Sequence, residues 1–164
     1  MSGPWERARL ALVLCAFVAA SAWADGPEQA MAPAAPPPAM LDALFPAGRT
    51  SEALAALAGR APLAPGEDFR AVEIARDAAS SHHVVAIRRA ETPHRHDRHD
   101  LLVVMLRGHG TMRRGAETRP VGEGSILYVP RGTPHAFTNA AAEPAVAYAV
   151  YFPPFDGADR AGVD

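Results

Sequence analysis

The sequence predicts a single all-β domain, a small barrel or sandwich, and two observations lead to this fold class. From residue 69 onward, short runs of alternating apolar and polar residues are separated by glycine-containing turns, which is typical of such folds. His94 and His96 lie in one of these segments and His135 lies in another, and three imidazoles from two strands can meet only inside a closed or half-closed β structure. The chain has no internal repeat, so we expect one barrel rather than two.

The first 24 residues have the three-part pattern of a secretory signal peptide. Arg7 and Arg9 precede an apolar run, and Ala22 and Ala24 form a small-x-small cleavage site. The apolar run is shorter than the roughly 20 residues that a membrane span needs. We therefore expect cleavage after residue 24, a periplasmic or secreted mature protein, and no stable membrane insertion after cleavage.

The composition excludes several classes of function. Cys15 is the only cysteine and lies in the signal segment after Leu14, so the mature chain has no disulfide and no thiolate ligand, and we expect no lipid anchor. The full chain has a formal net charge of −2, and nucleic-acid binding normally requires a basic face. All 16 basic residues are arginines, which excludes Schiff-base chemistry on a lysine.

Two segments separate the signal peptide from the barrel. Residues 25–40 are rich in Pro and Ala, which predicts a flexible linker. Residues 41–68 form an N-terminal extension, in which we expect Thr50 or Ser51 to cap a short helix that ends at Gly59. This helix is expected to pack against the outside or one end of the barrel.

The predicted barrel covers residues 69–157, and residues 158–164 are a C-terminal tail. Apolar and polar patterning places its strands at 69–77, 82–89, 101–108, 110–115, 118–121, 125–130 and 145–152. Glycines between several of these segments mark the turns that connect them.

The histidines of two segments have a spacing that suits a metal site. His94 and His96 are two residues apart, so on a strand their side chains project from the same face. His135 follows Pro134, whose fixed φ narrows its approach, and Asn139 is expected to cap or cross-link that turn. Imidazoles are common ligands of divalent transition ions, so we expect one such ion here.

Both segments resemble the two motifs of the cupins, which are small jelly-roll barrels. The second cupin motif, G-x5-P-x-G-x2-H-x3-N, is matched at all five positions, by Gly124, Pro130, Gly132, His135 and Asn139. The first motif, G-x5-H-x-H-x(3,4)-E-x6-G, is matched at His94, His96 and Gly108. The resemblance covers about residues 84–152 and implies a single cupin jelly-roll β-barrel with His94, His96 and His135 as metal ligands. It also implies a homodimer.

The chain departs from the first motif at the position of the acidic ligand. Counting back from Gly108 puts Leu101 where the cupins have a glutamate, and Arg88 stands at the leading glycine. Asp100, one residue out of phase, is the candidate fourth ligand, with His99 or water as alternatives. A carboxylate would suit Mn or Fe, whereas an all-imidazole set suits Ni, Cu or Zn. A decayed metal site is a third interpretation, and the retained histidines weigh against it.

Two hypotheses of function follow. The first is a periplasmic or secreted metal-dependent enzyme, dioxygenase-like or an isomerase or lyase, acting on a small molecule in the barrel. The second is a non-catalytic module that binds or senses a metal or small ligand in the same pocket. No general base outside the ligand set can be identified, so no reaction is predicted. Alternation sends one of His82 and His83 inward and the other outward, so one could face the cavity, but a surface or core polar residue is the favoured interpretation.

Overall fold

The computed structural model describes residues 38–163, and the predicted signal peptide and most of the predicted linker lie outside these residues. Nearly all of the regular secondary structure in the described part is β-strand. The strands are β1 Met40–Phe45, β2 Gly48–Ala53, β3 Phe69–Arg76, β4 Ser81–Ile87, β5 His94–Arg95, β6 Asp100–Arg107, β7 His109–Arg114, β8 Glu117–Gly122, β9 Ile126–Val129, β10 His135–Asn139, β11 Ala145–Phe152 and β12 Ala161–Gly162. One helical turn, α1 Leu54–Leu57, continues into a 3₁₀ turn, Ala58–Arg60.

Two antiparallel sheets of five strands each make up the barrel. The order is β12-β5-β10-β7-β8 in the first sheet and β3-β4-β11-β6-β9 in the second. Apolar side chains from both sheets pack into one core, in which Met112 and Phe137 of the first sheet meet Val85, Val103 and other residues of the second. The predicted single all-β barrel is therefore confirmed.

Alternation along β11 shows why the apolar pattern predicts its strand correctly. Ala145, Ala147 and Ala149 point into the barrel core. Val146 lies between them in sequence and packs in a second apolar cluster on the outer side of the sheet. A strand that is covered on both faces reads as a nearly continuous apolar run, which is the pattern of residues 145–152.

A hairpin and a helical turn form the layer outside the second sheet. β1 pairs with β2 from Met40–Ala53 to Phe45–Gly48, and Leu57 of α1 is fully buried against Val84 and Val146. The prediction of a helix capped at Thr50 or Ser51 is wrong, because both residues lie in β2 and α1 begins only at Leu54. Pairing with β1 takes up this segment before a helix can form.

Close approach of the chain makes a glycine necessary at the start of β7. A Cβ on Gly110 would lie 2.1 Å from the carbonyl oxygen of Thr138 on the neighbouring β10. No side chain fits at that distance, so β7 can lie this close to β10 only with a glycine at position 110.

The C-terminal segment belongs to the barrel, which corrects the predicted boundary at residue 157. β12 pairs with β5, with Gly162 opposite His94 and Ala161 opposite Arg95. The segment therefore adds an edge strand to the first sheet, beside His94. No helix within residues 38–163 is long and apolar enough to cross a membrane.

Candidate metal centre

Three histidines predicted as ligands come together at one end of the barrel. His94 on β5 lies directly opposite His135 on β10 in the strand register, and His96 follows β5. The ring centroids are 4.3 Å apart for His94 and His135, 5.1 Å for His94 and His96, and 5.5 Å for His96 and His135. One nitrogen of each ring lies within 4.8 Å of one nitrogen of the others. This spacing is that of a group able to hold one metal ion.

Backbone carbonyls orient all three rings. The Nδ1–H of His94 donates to the Thr92 carbonyl at 2.9 Å, and that of His135 donates to the Thr133 carbonyl at 3.0 Å. The Nδ1–H of His96 donates to the carbonyl of Asp159. Because a carbonyl can only accept, each ring carries its proton on Nδ1 and keeps the lone pair of Nε2 free. A hydrogen bond from the second nitrogen is the usual way of fixing a metal-binding histidine.

Burial favours the uncharged form of these rings. All three histidines are buried, with exposed fractions of 3% for His94 and His96 and 2% for His135. Burial lowers the pKa of His94 to about 3, assisted by the neighbouring His135, and lowers the pKa of His135 to about 4. Burial also lowers the pKa of His96. Neutral imidazoles are the form that binds metal.

An unpartnered nitrogen supports a metal at this place. Nε2 of His96 is buried and has no hydrogen-bond partner within the described residues. Leaving a buried polar atom unpaired costs about 1–3 kcal/mol, so such atoms usually have a partner that completes them. A metal ion bound by Nε2 of the three histidines would supply that partner, and the residues present fit it.

Asp100, the candidate fourth ligand, does not reach the cluster. Its two carboxylate oxygens bind the backbone N–H and the guanidinium of Arg131, at 2.9 Å and 2.7 Å for the closest contacts. This pairing, with the guanidinium bond as the main cause, lowers the pKa of Asp100 to about 2. Strand alternation turns Asp100 outward because Leu101, the next residue, faces the core.

His99, the alternative fourth ligand, has both ring nitrogens engaged elsewhere. Nδ1 lies 2.5 Å from Oδ2 of Asp159, and Nε2 lies 3.2 Å from the carbonyl oxygen of Pro154. His96, His99 and Asp159 are close enough to hold an ion, but both nitrogens of His99 and the carboxylate of Asp159 already take part in hydrogen bonds. The water alternative stays open, and the ligand assignment of the three histidines stays a prediction.

Asp159 anchors the C-terminal segment behind the cluster. Its buried carboxylate accepts the backbone N–H groups of Asp97 at 3.0 Å and Arg98 at 2.8 Å, in addition to His99. Burial acts to raise the pKa of Asp159, but these hydrogen bonds outweigh it and lower the pKa to about 2. The carbonyl that orients His96 is therefore held in place by the side chain of the same residue.

The cluster opens into a cavity of about 310 Å³ inside the barrel. Aliphatic and aromatic residues make up most of its wall, and Leu101 lies there in place of the expected glutamate. Met105 and Phe137 also line the cavity. Tyr128 of β9 is half exposed and does not line the cavity. The cavity is of a size that suits a small organic molecule.

The pair His82–His83 alternates as the sequence predicts. His83 faces the cavity and its Nε2 lies 2.9 Å from the hydroxyl of Ser81. His82 faces the outer layer, where Nδ1 lies 2.6 Å from the hydroxyl of Tyr148. Asn139 binds the carbonyls of Arg88, Ala141 and Glu143, so it cross-links the loop after β10 rather than the turn before His135.

Four further residues contribute polar or aromatic groups to the site and were not found from the sequence. Glu91 accepts the backbone N–H of Phe137 at 3.2 Å, and burial raises its pKa. Tyr151 stacks on Phe155 at 4.8 Å, and both rings stand edge-on to His96. Arg160 lies beside His94. Of these four residues, only Tyr151 could have been found from the sequence. It lies an even number of residues from Ala147 and Ala149 on the same strand, so its side chain faces inward with theirs.

Comparison with known proteins agrees with this geometry. A family model described as a cupin domain matches residues 82–151, the segment that holds all three histidines. A protein of Aquifex aeolicus (strain VF5), described only as uncharacterized, is 30% identical over 98 residues, which cover 60% of this chain and 80% of that protein. The chain belongs to the cupin superfamily.

Solved structures share the fold of this cupin. TT1209 from Thermus thermophilus superposes with a TM-score of 0.55 at 25% identity and covers 60% of this chain and 95% of its own. KdgF from Halomonas sp. superposes with a TM-score of 0.51 at 23% identity, covering 58% of this chain and 86% of its own. The outer hairpin and helical turn of the cupin, residues 40–60, lie N-terminal to the segment matched by the family model.

Proposed function

We propose that this cupin is a periplasmic or secreted metal-dependent enzyme acting on a small molecule in the barrel, with His94, His96 and His135 as the metal ligands. One observation carries the proposal: three buried imidazoles, oriented by carbonyls on Nδ1, present free Nε2 atoms to one another in the wall of the barrel cavity. Export rests on the signal-peptide pattern of residues 1–24 alone.

The roles of the chain follow from these contacts. His94, His96 and His135 would hold a divalent ion as three neutral ligands, and that ion would supply Lewis-acid chemistry at its remaining positions. The carbonyls of Thr92, Thr133 and Asp159 hold the rings in one orientation. The apolar wall, including Leu101, excludes water from the reacting group.

The ligand set favours some metals over others. Asp100 is held by Arg131 and His99 by Asp159. Water or substrate would therefore occupy the coordination positions that the three imidazoles leave free. An all-imidazole set suits Zn, Cu or Ni better than Mn or Fe. Dioxygenase-like chemistry would need a redox-active ion among these, whereas isomerase or lyase chemistry would not.

A non-catalytic module that binds or senses a metal or small ligand is the second candidate. The observation that favours it is the scarcity of polar groups in the cavity wall, where Glu73, Glu91 and Tyr151 are the polar residues beside the histidines and Arg160. Metal and ligand binding without turnover of any small carboxylic or phenolic compound, in product and oxygen-uptake assays, would favour this candidate over the enzyme.

Metal content tests the proposal directly. We expect the mature protein, purified without a metal-affinity tag, to contain about one transition ion per chain by elemental analysis. His96→Ala should lose most of it, because one of only three protein ligands is removed. Asp100→Ala should retain it, because that carboxylate binds Arg131 and not the cluster. Absence of stoichiometric metal in the unaltered protein, or equal metal in His96→Ala, would contradict the proposal.

A further inference from the structure

Among the described residues, the group of His94, His96 and His135 contains no carboxylate, so a metal ion bound there would have no acidic protein ligand. Leu101 is buried at the position where the first motif has glutamate, while Asp100 points outward to Arg131. A divalent ion held by three neutral imidazoles therefore keeps its full double positive charge. In a mostly apolar cavity such a charge is costly unless an anion accompanies it.

The other charged groups of the cavity do not neutralise that ion. Glu73 lines the wall but is paired with Arg76 at 2.6 Å. Glu91 is anchored to the backbone N–H of Phe137, and burial raises its pKa, which favours its uncharged form. Asp159 is not part of the cavity wall, and its carboxylate binds His99 and two backbone N–H groups. Even an ionised Glu91 leaves the cavity positive once a divalent ion is bound.

Arg160 adds a further positive charge to the cavity wall. Its guanidinium donates to the Thr92 carbonyl at 3.4 Å and lies 3.1 Å from Nδ1 of His94, whose proton is already given to Thr92. Its Cζ stands 5.8 Å from the centre of the Phe69 ring, which belongs to β3 of the second sheet and also lines the cavity. Within the described residues, the guanidinium of Arg160 has no carboxylate partner. It is therefore free to bind an anionic group.

The remainder of the cavity is shaped for an apolar body. Its wall is formed by the apolar side chains of Val85, Ile87, Val103, Met105 and Met112. At about 30 Å³ for each water-sized group, a cavity of about 310 Å³ holds a molecule of about ten heavy atoms.

We propose that the cavity binds a small monocarboxylate with a compact apolar body, its anionic group placed between the three-histidine metal centre and Arg160. The carboxylate takes the role of the missing acidic ligand, and the aliphatic wall holds the remainder of the molecule. This inference rests on the proposed function, since it requires a bound metal, and it adds the chemical class of the ligand.

Calorimetric titration of the zinc-loaded mature protein with benzoate and benzamide tests the inference. The two probes have nearly the same shape and differ in charge. We expect benzoate to bind at least tenfold more tightly than benzamide, and removal of zinc with a chelator to abolish that preference. Arg160→Gln should weaken benzoate at least tenfold and leave benzamide unchanged, whereas Arg160→Lys should retain part of the affinity. Arg95→Gln is the control, because Arg95 lies on β5 but pairs with Asp97 at the surface.

The outcomes separate the inference from the proposed function. Zinc content is measured first, and a substoichiometric content would contradict the metal centre itself. Full zinc content with equal affinity for benzoate and benzamide, or with no binding of either probe, would overturn the inference alone. The same conclusion would follow if Arg160→Gln and Arg95→Gln changed benzoate affinity equally. Circular dichroism of each variant checks that it is folded.

Discussion

At the scale of the residue, the three candidate metal ligands differ in how far along the sequence the carbonyl that orients each ring lies. Thr92 and Thr133 are each two residues before the histidine they orient. The carbonyl that orients His96 belongs to Asp159, 63 residues further along the chain. His96 therefore depends on a tertiary contact that the other two histidines do not need.

Loss of the Asp159 carboxylate should weaken the metal site. In Asp159→Ala the N–H groups of Asp97 and Arg98 and the ring of His99 lose their acceptor, so the carbonyl that orients His96 is released. We expect zinc affinity to fall about 10- to 100-fold, the usual cost of losing a partner that orients a ligand. A competition titration with a chromophoric chelator measures the affinity.

Asp156→Ala is the matched control for this prediction. Asp156 lies in the same segment, but its carboxylate pairs with Arg98 at the surface, 2.5 Å away. The visible spectrum of the cobalt-substituted protein should change in Asp159→Ala and not in Asp156→Ala, because it reports ligand geometry. Unchanged affinity and spectrum in Asp159→Ala would show that Asp159 has no role in positioning His96.

At the scale of the element, the outer layer stabilises the sheet without touching the metal centre. Leu57, Ala58 and Ala61 pack on the outer face of β4 and β11, on the opposite side of the sheet from the cavity. Burial of a leucine side chain contributes about 1.5–3 kcal/mol. The layer and the site are therefore expected to respond separately to substitution.

Truncation of Leu57 should lower stability and leave metal binding unchanged. Leu57→Ala removes a fully buried side chain, so the free energy of unfolding should fall by about 2–5 kcal/mol. Leu44→Ala, in the same outer layer, should change it by less than about 0.5 kcal/mol because Leu44 is 84% exposed. Urea unfolding provides the free energies, and elemental analysis the metal content. Similar losses in the two variants would contradict the packing described.

At the scale of the whole molecule, the buried histidines link stability to pH. His94 and His135 have folded-state pKa values of about 3 and about 4, below the ordinary value of 6.5. Between pH 4 and 6.5 the unfolded chain therefore binds more protons than the folded one. The contribution of these two histidines to the free energy of unfolding is fully present above pH 6.5 and is lost as the pH falls toward their folded-state pKa values.

In the metal-free protein, the free energy of unfolding measured with urea should decrease from pH 7 to pH 6 and again to pH 5. Near pH 5 each of these histidines should contribute a slope of about 1.4 kcal/mol per pH unit. Replacement of His94 by Gln should reduce the slope by the share of one histidine. Asp100 and Asp159, whose pKa values are lowered to about 2, add further loss only below about pH 4. A free energy of unfolding that is constant from pH 7 to 5 would contradict buried, neutral histidines.

Much of the fold and the histidine cluster could be predicted because they follow from local patterns. The alternation of residues 145–152 gives β11 with its observed bounds, and the spacing of His94 and His96 puts both rings on one face. The β1–β2 hairpin could not be predicted, because its polar residues lack a strand pattern and cross-strand pairs such as Arg49 with Asp42 are visible only once the strands are paired.

The sequence by itself determined the all-β cupin class and the meeting of His94, His96 and His135, because strand alternation and turn glycines are encoded within a few neighbouring residues. Only the tertiary structure decided which other groups reach the histidines. It turned Asp100 outward and Leu101 inward, and it brought Asp159 and Arg160 to the site from the end of the chain. Contacts between residues some 60 positions apart leave no local pattern in the sequence, so only the folded structure shows them.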